Sequence, residues 1–193
     1  MSDALLAADL GASAIGFVFW KNSPRYIDPE KAKEISAALP PDVAPIGVFV
    51  DGSQQEIEQT AESVRLCAIQ IHGKSSEFCI DLSKKVIKAV GLGGPESVAD
   101  ALQLPHEITI LLDRFDPIKI GGTGQVIDWE LASKVTGSRR VFLAGGLTPD
   151  NVKEAIRIAQ PYAVDVSSGV ESAPGIKDST RLQGFFNAVK EAG

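Results

Sequence analysis

Short runs of apolar, mostly β-branched residues alternate along this chain with helical patterns, and that alternation constrains the fold most. The runs fall at residues 14–19, 44–50, 66–71, 86–90, 108–112, 141–144 and 163–166. They are near-continuous rather than strictly alternating, which suits parallel strands covered on both faces. Helical patterns fill the intervals at 28–39, 54–63, 75–84, 95–102, 128–135, 149–156 and 178–192. Several carry start signals. Asp28 precedes Pro29 and Glu30, a cap followed by proline at the first helical position. Thr148, Pro149 and Asp150 repeat that arrangement. A strand and a helix recur about every 20–33 residues, the size of a βαβ unit, which needs a parallel sheet with right-handed crossovers.

The chain opens in a helix, since Asp3 can cap residues 4–10 and Gly11 can stop them. Counted together, the patterns give seven strands and eight helices. An α/β chain normally begins with a strand. The count therefore predicts an α/β protein, a (β/α)8 TIM barrel with the first β-strand missing from this chain, as a single domain over residues 1–193. A doubly wound open sheet is the competing architecture. It usually carries a Gly-rich first turn, whereas the turn here runs Trp20, Lys21, Asn22, Ser23, Pro24, Arg25.

Composition narrows the function. A chain of 193 residues with 44% hydrophobic and 23% charged residues is long and apolar enough to bury a core, and it is no disordered tail. A net charge of -6 argues against nucleic acid, which calls for a basic patch. Cys67 and Cys79 form no disulfide framework and point to a reducing compartment. With two histidines and no His/Cys cluster at ligand spacing, no metal is expected. No apolar run has membrane-spanning length, and the first residues lack signal-peptide character, so a cytoplasmic protein is expected.

In a barrel the chemistry sits where strands end and βα loops begin. Two such ends are rich in glycine and hydroxyl residues: Ala144, Gly145, Gly146, Leu147, Thr148, and Asp165, Val166, Ser167, Ser168, Gly169, Val170, Glu171. Exposed backbone N–H groups there could hold a phosphate without lysine. Alternatively, Gly145 and Gly146 merely permit a tight turn. Asp113 follows an apolar run at a strand end, which makes it a candidate general acid or base; a cap or a salt bridge is the plainer role. The long stretch 114–127 after it holds Gly121, Gly122, Thr123 and Gly124, suited to a cover over a site. Arg25 could grip a carboxylate bidentately or stand as a solvated surface residue. His72 could orient a substrate or simply bond to loop backbone.

Taken in order, these stretches resemble phosphoribosylanthranilate isomerase, an enzyme family of tryptophan biosynthesis. The matching segments are Gly16 to Phe19, Ser23 to Tyr26, Gly47 to Val50, Gln70 to Gly73, Leu111 to Asp113, Gly121 to Gly124, Asp128 with Trp129, Ala144 to Leu147, and Asp165 to Glu171. The resemblance implies a cofactor-free barrel that converts N-(5'-phosphoribosyl)anthranilate to its 1-deoxyribulose 5-phosphate isomer by an Amadori rearrangement. It implies Asp113 as the general acid and Arg25 as the grip on the anthranilate carboxylate. Gly145, Gly146, Ser168 and Gly169 would bind the phosphate, with His72 and Asp165 as supporting substrate-binding groups. The implied partner is a small phosphorylated molecule, with no nucleic acid and no membrane, and the implied assembly is a monomer or homodimer.

One family feature has no counterpart. The family's general base is a cysteine at the end of the first strand, and nothing here matches it. Cys67 lies at the start of its run, ~15 Å from the strand ends at ~3.3 Å per residue, and Cys79 falls in a predicted outer helix. The expectation is therefore a family member with impaired activity and an incomplete, poorly folding barrel. The alternatives are a non-catalytic phosphosugar-binding remnant and another phosphate-binding barrel isomerase or synthase.

Overall fold

A computed structural model describes residues 1–73, 84–114 and 126–193. By internal packing the chain divides into two compact units, residues 1–88 with 174–176, and residues 89–173 with 177–193.

The first unit begins with α1 (Ser2–Leu10), stopped by Gly11 at φ 109. Asp3, the expected cap, lies instead in the first turn of this helix, two residues past the N-cap Met1. Then follow β1 (Ala14–Val18), α2 (Pro29–Ala38), β2 (Ala44–Val50), α3 (Gln54–Val64) and β3 (Ala68–His72). β4 (Lys85–Leu92) carries the chain onward. The strands pair in parallel: Ala14 opposite Ala44, Ile46 opposite Ala68, and Ala68 opposite Lys85. α2 starts as expected, because the Asp28 carboxylate accepts the Glu30 N–H at 3.0 Å with Pro29 in the first turn. α3 is fixed by a reciprocal capping box between Ser53 and Glu56 and buries Ile57, Ala61 and Val64 along one stripe. β3 is buried along nearly its whole length. β2 alternates instead, with Pro45, Gly47 and Phe49 buried and their neighbours half-buried. Covering both faces, expected from the apolar runs, thus holds for β3 and fails for β2, one face of which is only partly covered.

In the second unit α4 (Pro95–Gln103), β5 (Thr109–Arg114), α5 (Trp129–Thr136), β6 (Val141–Leu143), α6 (Val152–Ala159) and β7 (Ala163–Val164) follow in order. β5 and β7 flank β6, both parallel to it, with Leu111 opposite Phe142 and Phe142 opposite Ala163. A single 3-10 turn (Ser168–Val170) leads to β8 (Glu171–Ala173), and after β9 (Ile176–Lys177) the chain ends in α7 (Ser179–Lys190). Asp128 and Asp178 cap α5 and α7. The core holds Ile110, Leu111, Leu112, Val141, Leu143, Ala132, Val135, Ala155, Ala159, Leu182 and Phe185. α6 departs from expectation. It starts at Val152, and residues 148–151 form a turn in which Asn151, not Thr148, supplies the bonding side chain.

The seven expected strands all form, with two short ones besides, but the reading as a barrel deprived of its first strand does not hold. That reading needed one helix more than strands. Among the described residues seven α-helices accompany seven strands of parallel sheet, so the described elements show no surplus helix from which a lost first strand could be argued. The remaining expected helix, 75–84, lies almost wholly outside the described residues. The two extra short strands, β8 and β9, were hidden because Gly175 at φ 82 turns a segment that carries no apolar run.

Candidate active site

Parallel pairing brings the C-terminal ends of β5, β6 and β7 to one end of the second unit. Asp113 stands next to last in β5, half-buried, and its Oδ1 accepts the backbone N–H of Arg114 at 2.7 Å. Just past β6, Gly145 and Gly146 adopt φ values of 81 and 78, where an L side chain is strained. A Cβ on Gly145 would also meet the Arg114 backbone nitrogen at 2.8 Å and Asp113 Oδ1 at 3.2 Å. Glycine there is what allows the β6 turn to lie against the Asp113 carboxyl. Asn151 ties the same turn from both sides: its Nδ2 donates to the Gly146 carbonyl at 3.0 Å, and its Oδ1 accepts the Thr148 N–H at 2.8 Å.

Asp165 follows β7, and its N–H extends the ladder by donating to Leu143 at 2.8 Å. Its side chain opens to solvent while protein surrounds it densely. That setting pushes its carboxyl up to about 6, first through burial and next through the Asp113 charge; the Lys177 ammonium and the Val166 N–H pull the other way. Ser167, Ser168, Gly169 and Val170 come next. A Cβ on Gly169 would strike the Leu147 carbonyl, so the turns after β6 and β7 touch there. The second unit thus gathers Asp113, Asp165, Gly145, Gly146 and Gly169 on adjoining strand ends, with Ser168 in the same turn.

Arg25 and His72 belong to the first unit. Arg25 is half-buried in the turn after β1, where its N–H donates to Ser23 Oγ at 3.1 Å and Ile27 returns to bond Val18. His72 ends β3, with its Nε2 2.9 Å from Gln70 Nε2. An amide nitrogen only donates, so that ring nitrogen accepts. Beyond it, the buried Lys88 donates to the Gly73 carbonyl at 2.6 Å. The segment holding Gly121, Gly122, Thr123 and Gly124, and also Cys79, lies outside the described residues. Cys67 is a free, exposed thiol just ahead of β3.

Two residues here were not legible beforehand. Lys88 sits inside an apolar run, and Lys177 in a polar stretch before α7. Neither carries a local signal, because their partners are 15 and 10 residues away. No group of three His, Cys, Asp or Glu suited to a metal occurs among the described residues, and no described helix is long and apolar enough to cross a membrane.

A strand-end carboxyl that changes protonation near pH 6 beside a second strand-end carboxyl can exchange protons with a ligand near neutrality. With glycine turns on the neighbouring strand ends, this defines a β/α protein of the strand-end-site class, the class that includes the sugar-phosphate isomerases. The family model for N-(5'-phosphoribosyl)anthranilate (PRA) isomerase matches residues 1–188, and the chain belongs to that family. The N-(5'-phosphoribosyl)anthranilate isomerase of Geobacter sp. (strain M21) is 45% identical over 192 residues, covering 99% of this chain and 94% of that protein. The crystal structure of phosphoribosyl anthranilate isomerase from Thermotoga maritima superposes with a TM-score of 0.92 at 43% identity, covering 98% of this chain and 94% of that one. A crystal structure of a phosphoribosyl anthranilate isomerase in complex with reduced 1-(o-carboxyphenylamino)-1-deoxyribulose 5-phosphate gives 0.85 at 41% identity, covering 98% and 93%. The fold is the family's (β/α)8 type. With nine-tenths or more of each relative matched, neither impaired activity nor the non-catalytic remnant finds support.

Proposed function

We propose that this chain isomerises N-(5'-phosphoribosyl)anthranilate to 1-(2-carboxyphenylamino)-1-deoxy-D-ribulose 5-phosphate, an Amadori rearrangement of tryptophan biosynthesis. The supporting observation is the interacting pair Asp113 and Asp165 beside the Gly145–Gly146 turn, in a chain 41% identical to a relative crystallised with the reduced product. Asp113, the acid, protonates the furanose ring oxygen, and the ring opens to a Schiff base. Loss of the C2' proton gives the enolamine, which tautomerises to the ketone. The proton-accepting role at C2' is assigned to no described residue. Cys67 is unsuited to it, lying ahead of β3 rather than at its C-terminal end.

Arg25 holds the anthranilate carboxylate, and His72 and Asp165 support the sugar. Gly145, Gly146, Ser168 and Gly169 hold the phosphate through backbone N–H groups. No cofactor takes part, and the chain acts as a monomer or homodimer; a related Thermotoga maritima enzyme is described as dimeric, with mutually generated monomers. The test is direct. The purified chain is incubated with N-(5'-phosphoribosyl)anthranilate, and substrate and product are separated by chromatography. Conversion above the spontaneous rate supports the reading, and conversion at that rate alone rejects it.

A further inference from the structure

We infer that Lys177 is a positioning residue, whose ammonium clamps the turn after β7 and so orients the Ser168 N–H for the phosphorylated substrate. The inference rests on the function proposed above, but its geometry stands by itself. Lys177 Nζ donates to the Ser167 carbonyl at 2.9 Å and pairs with Glu171 Oε1 at 3.2 Å. The Glu171 side chain is only 5% exposed and that of Lys177 25%. Arg181 Nη1 donates to the Glu171 carbonyl at 2.6 Å, and the Asp178 N–H donates to Val170 at 2.8 Å. The turn from Ser167 to Glu171 is therefore held at Ser167, Val170 and Glu171 by Lys177, Asp178 and Arg181.

The Ser167 contact has a consequence through the peptide plane. A trans peptide sets its C=O and N–H on opposite sides. Fixing the Ser167 carbonyl toward Lys177 therefore fixes the Ser168 N–H away from it. That N–H belongs to one of the groups proposed to meet phosphate. The same ammonium favours the ionised form of Asp165, while Asp113 opposes it and the Val166 N–H assists. One cation thus serves a carbonyl, a buried carboxylate and a strand-end acid. A buried ion pair contributes little net stability compared with well-packed apolar residues. An apolar residue at 177 could replace the packing but not the carbonyl contact or the field at Asp165. The lysine therefore acts through position and charge rather than stability.

Three variants of the full chain separate these effects: Lys177→Met, Lys177→Gln and Lys177→Arg. The readouts are Ser168 amide hydrogen exchange, the NMR titration of the Asp165 carboxyl, and inorganic phosphate affinity. Lys177→Met should speed exchange on the order of tenfold, move the Asp165 midpoint up by about half a unit or more, and weaken phosphate several-fold. Lys177→Gln keeps a donor but no charge, so the midpoint should rise while exchange stays near the parent's. Lys177→Arg should restore all three. An unmoved midpoint in both the Met and Gln variants overturns the inference, as does an Arg variant no better than Met. If Lys177→Met does not fold, the Gln and Arg midpoints decide. Exchange and titration need no substrate. A chain that fails the conversion assay but shows these shifts would refute the isomerase reading and leave the clamp standing.

Discussion

A side chain at a strand end is useful because the sheet behind it is rigid and the loop before it is open, and Asp113 occupies such a place. Asp113→Asn keeps the shape and removes the proton. It should lower turnover by ~10²–10⁴-fold while product-analogue binding stays within a few-fold. Steady-state kinetics with calorimetry would show this, and near-normal turnover would make Asp113 structural. Arg25→Met should weaken an anthranilate-bearing ligand by about tenfold or more, the loss of a charge-assisted pair of ~1.5–3 kcal/mol. Unchanged affinity by calorimetry would leave Arg25 a surface residue. Asp165 makes a stability prediction. Its folded value of about 6 lies above the ordinary 3.8, so the folded chain holds that proton more tightly than the unfolded chain. The stability tied to the proton is complete below about pH 3.8 and is lost as the pH rises through about 6. Asp165→Asn should therefore melt above the parent at pH 8 and lose that advantage in acid. Because the side chain opens to solvent, the gain should be ~1 kcal/mol or less. Thermal melts across pH test the sign.

At the scale of elements, the helices are held by local caps and the connections between them by long-range bonds. Ser53, Asp28, Asp128 and Asp178 each sit just before the helix they cap, so a sequence pattern can reveal them. Arg139 works differently. Buried at 8% exposure, its guanidinium donates to the carbonyls of Ala101, Leu102, Leu104, Pro105 and Ile108, which close α4 and lead into β5. Arg139→Met would keep most of the packing and strand those acceptors. The expected cost is ~3 kcal/mol in urea denaturation. A loss under about 0.5 kcal/mol would show that water replaces the guanidinium.

For the whole chain, the expected incompleteness came from arithmetic on elements, and the match of nearly the whole chain to the family's solved fold overturned it. If the turns after β6 and β7 bind phosphate, ligand should stabilise the folded chain by mass action. Inorganic phosphate at a hundred times its dissociation constant should add ~2.7 kcal/mol to unfolding stability. Differential scanning measures this as a rise in melting temperature with concentration. A melting temperature indifferent to phosphate, with sulfate and chloride controls equal, would remove the phosphate assignment.

The sequence alone determined what depends on neighbours along the chain. The strands appeared because apolar runs of β-branched residues bury well in a parallel sheet, and the helix starts because caps lie within three residues of what they cap. The placement of Asp113, Gly145, Gly146, Asp165, Ser168 and Gly169 at strand ends was legible because a parallel sheet sends every strand end the same way. What lay beyond the sequence is set by residues far apart in the chain. The start of α6 shifted to Val152 because Asn151 bonds back to the Gly146 carbonyl. The raised Asp165 carboxyl needed Asp113, on another strand, and a dense surround. The work of Arg139 and Lys177 needed carbonyls 31 to 38 and 10 residues away. Periodicity records which face is apolar, but only tertiary packing decides which distant polar groups meet, since their bonds leave no pattern in the local sequence.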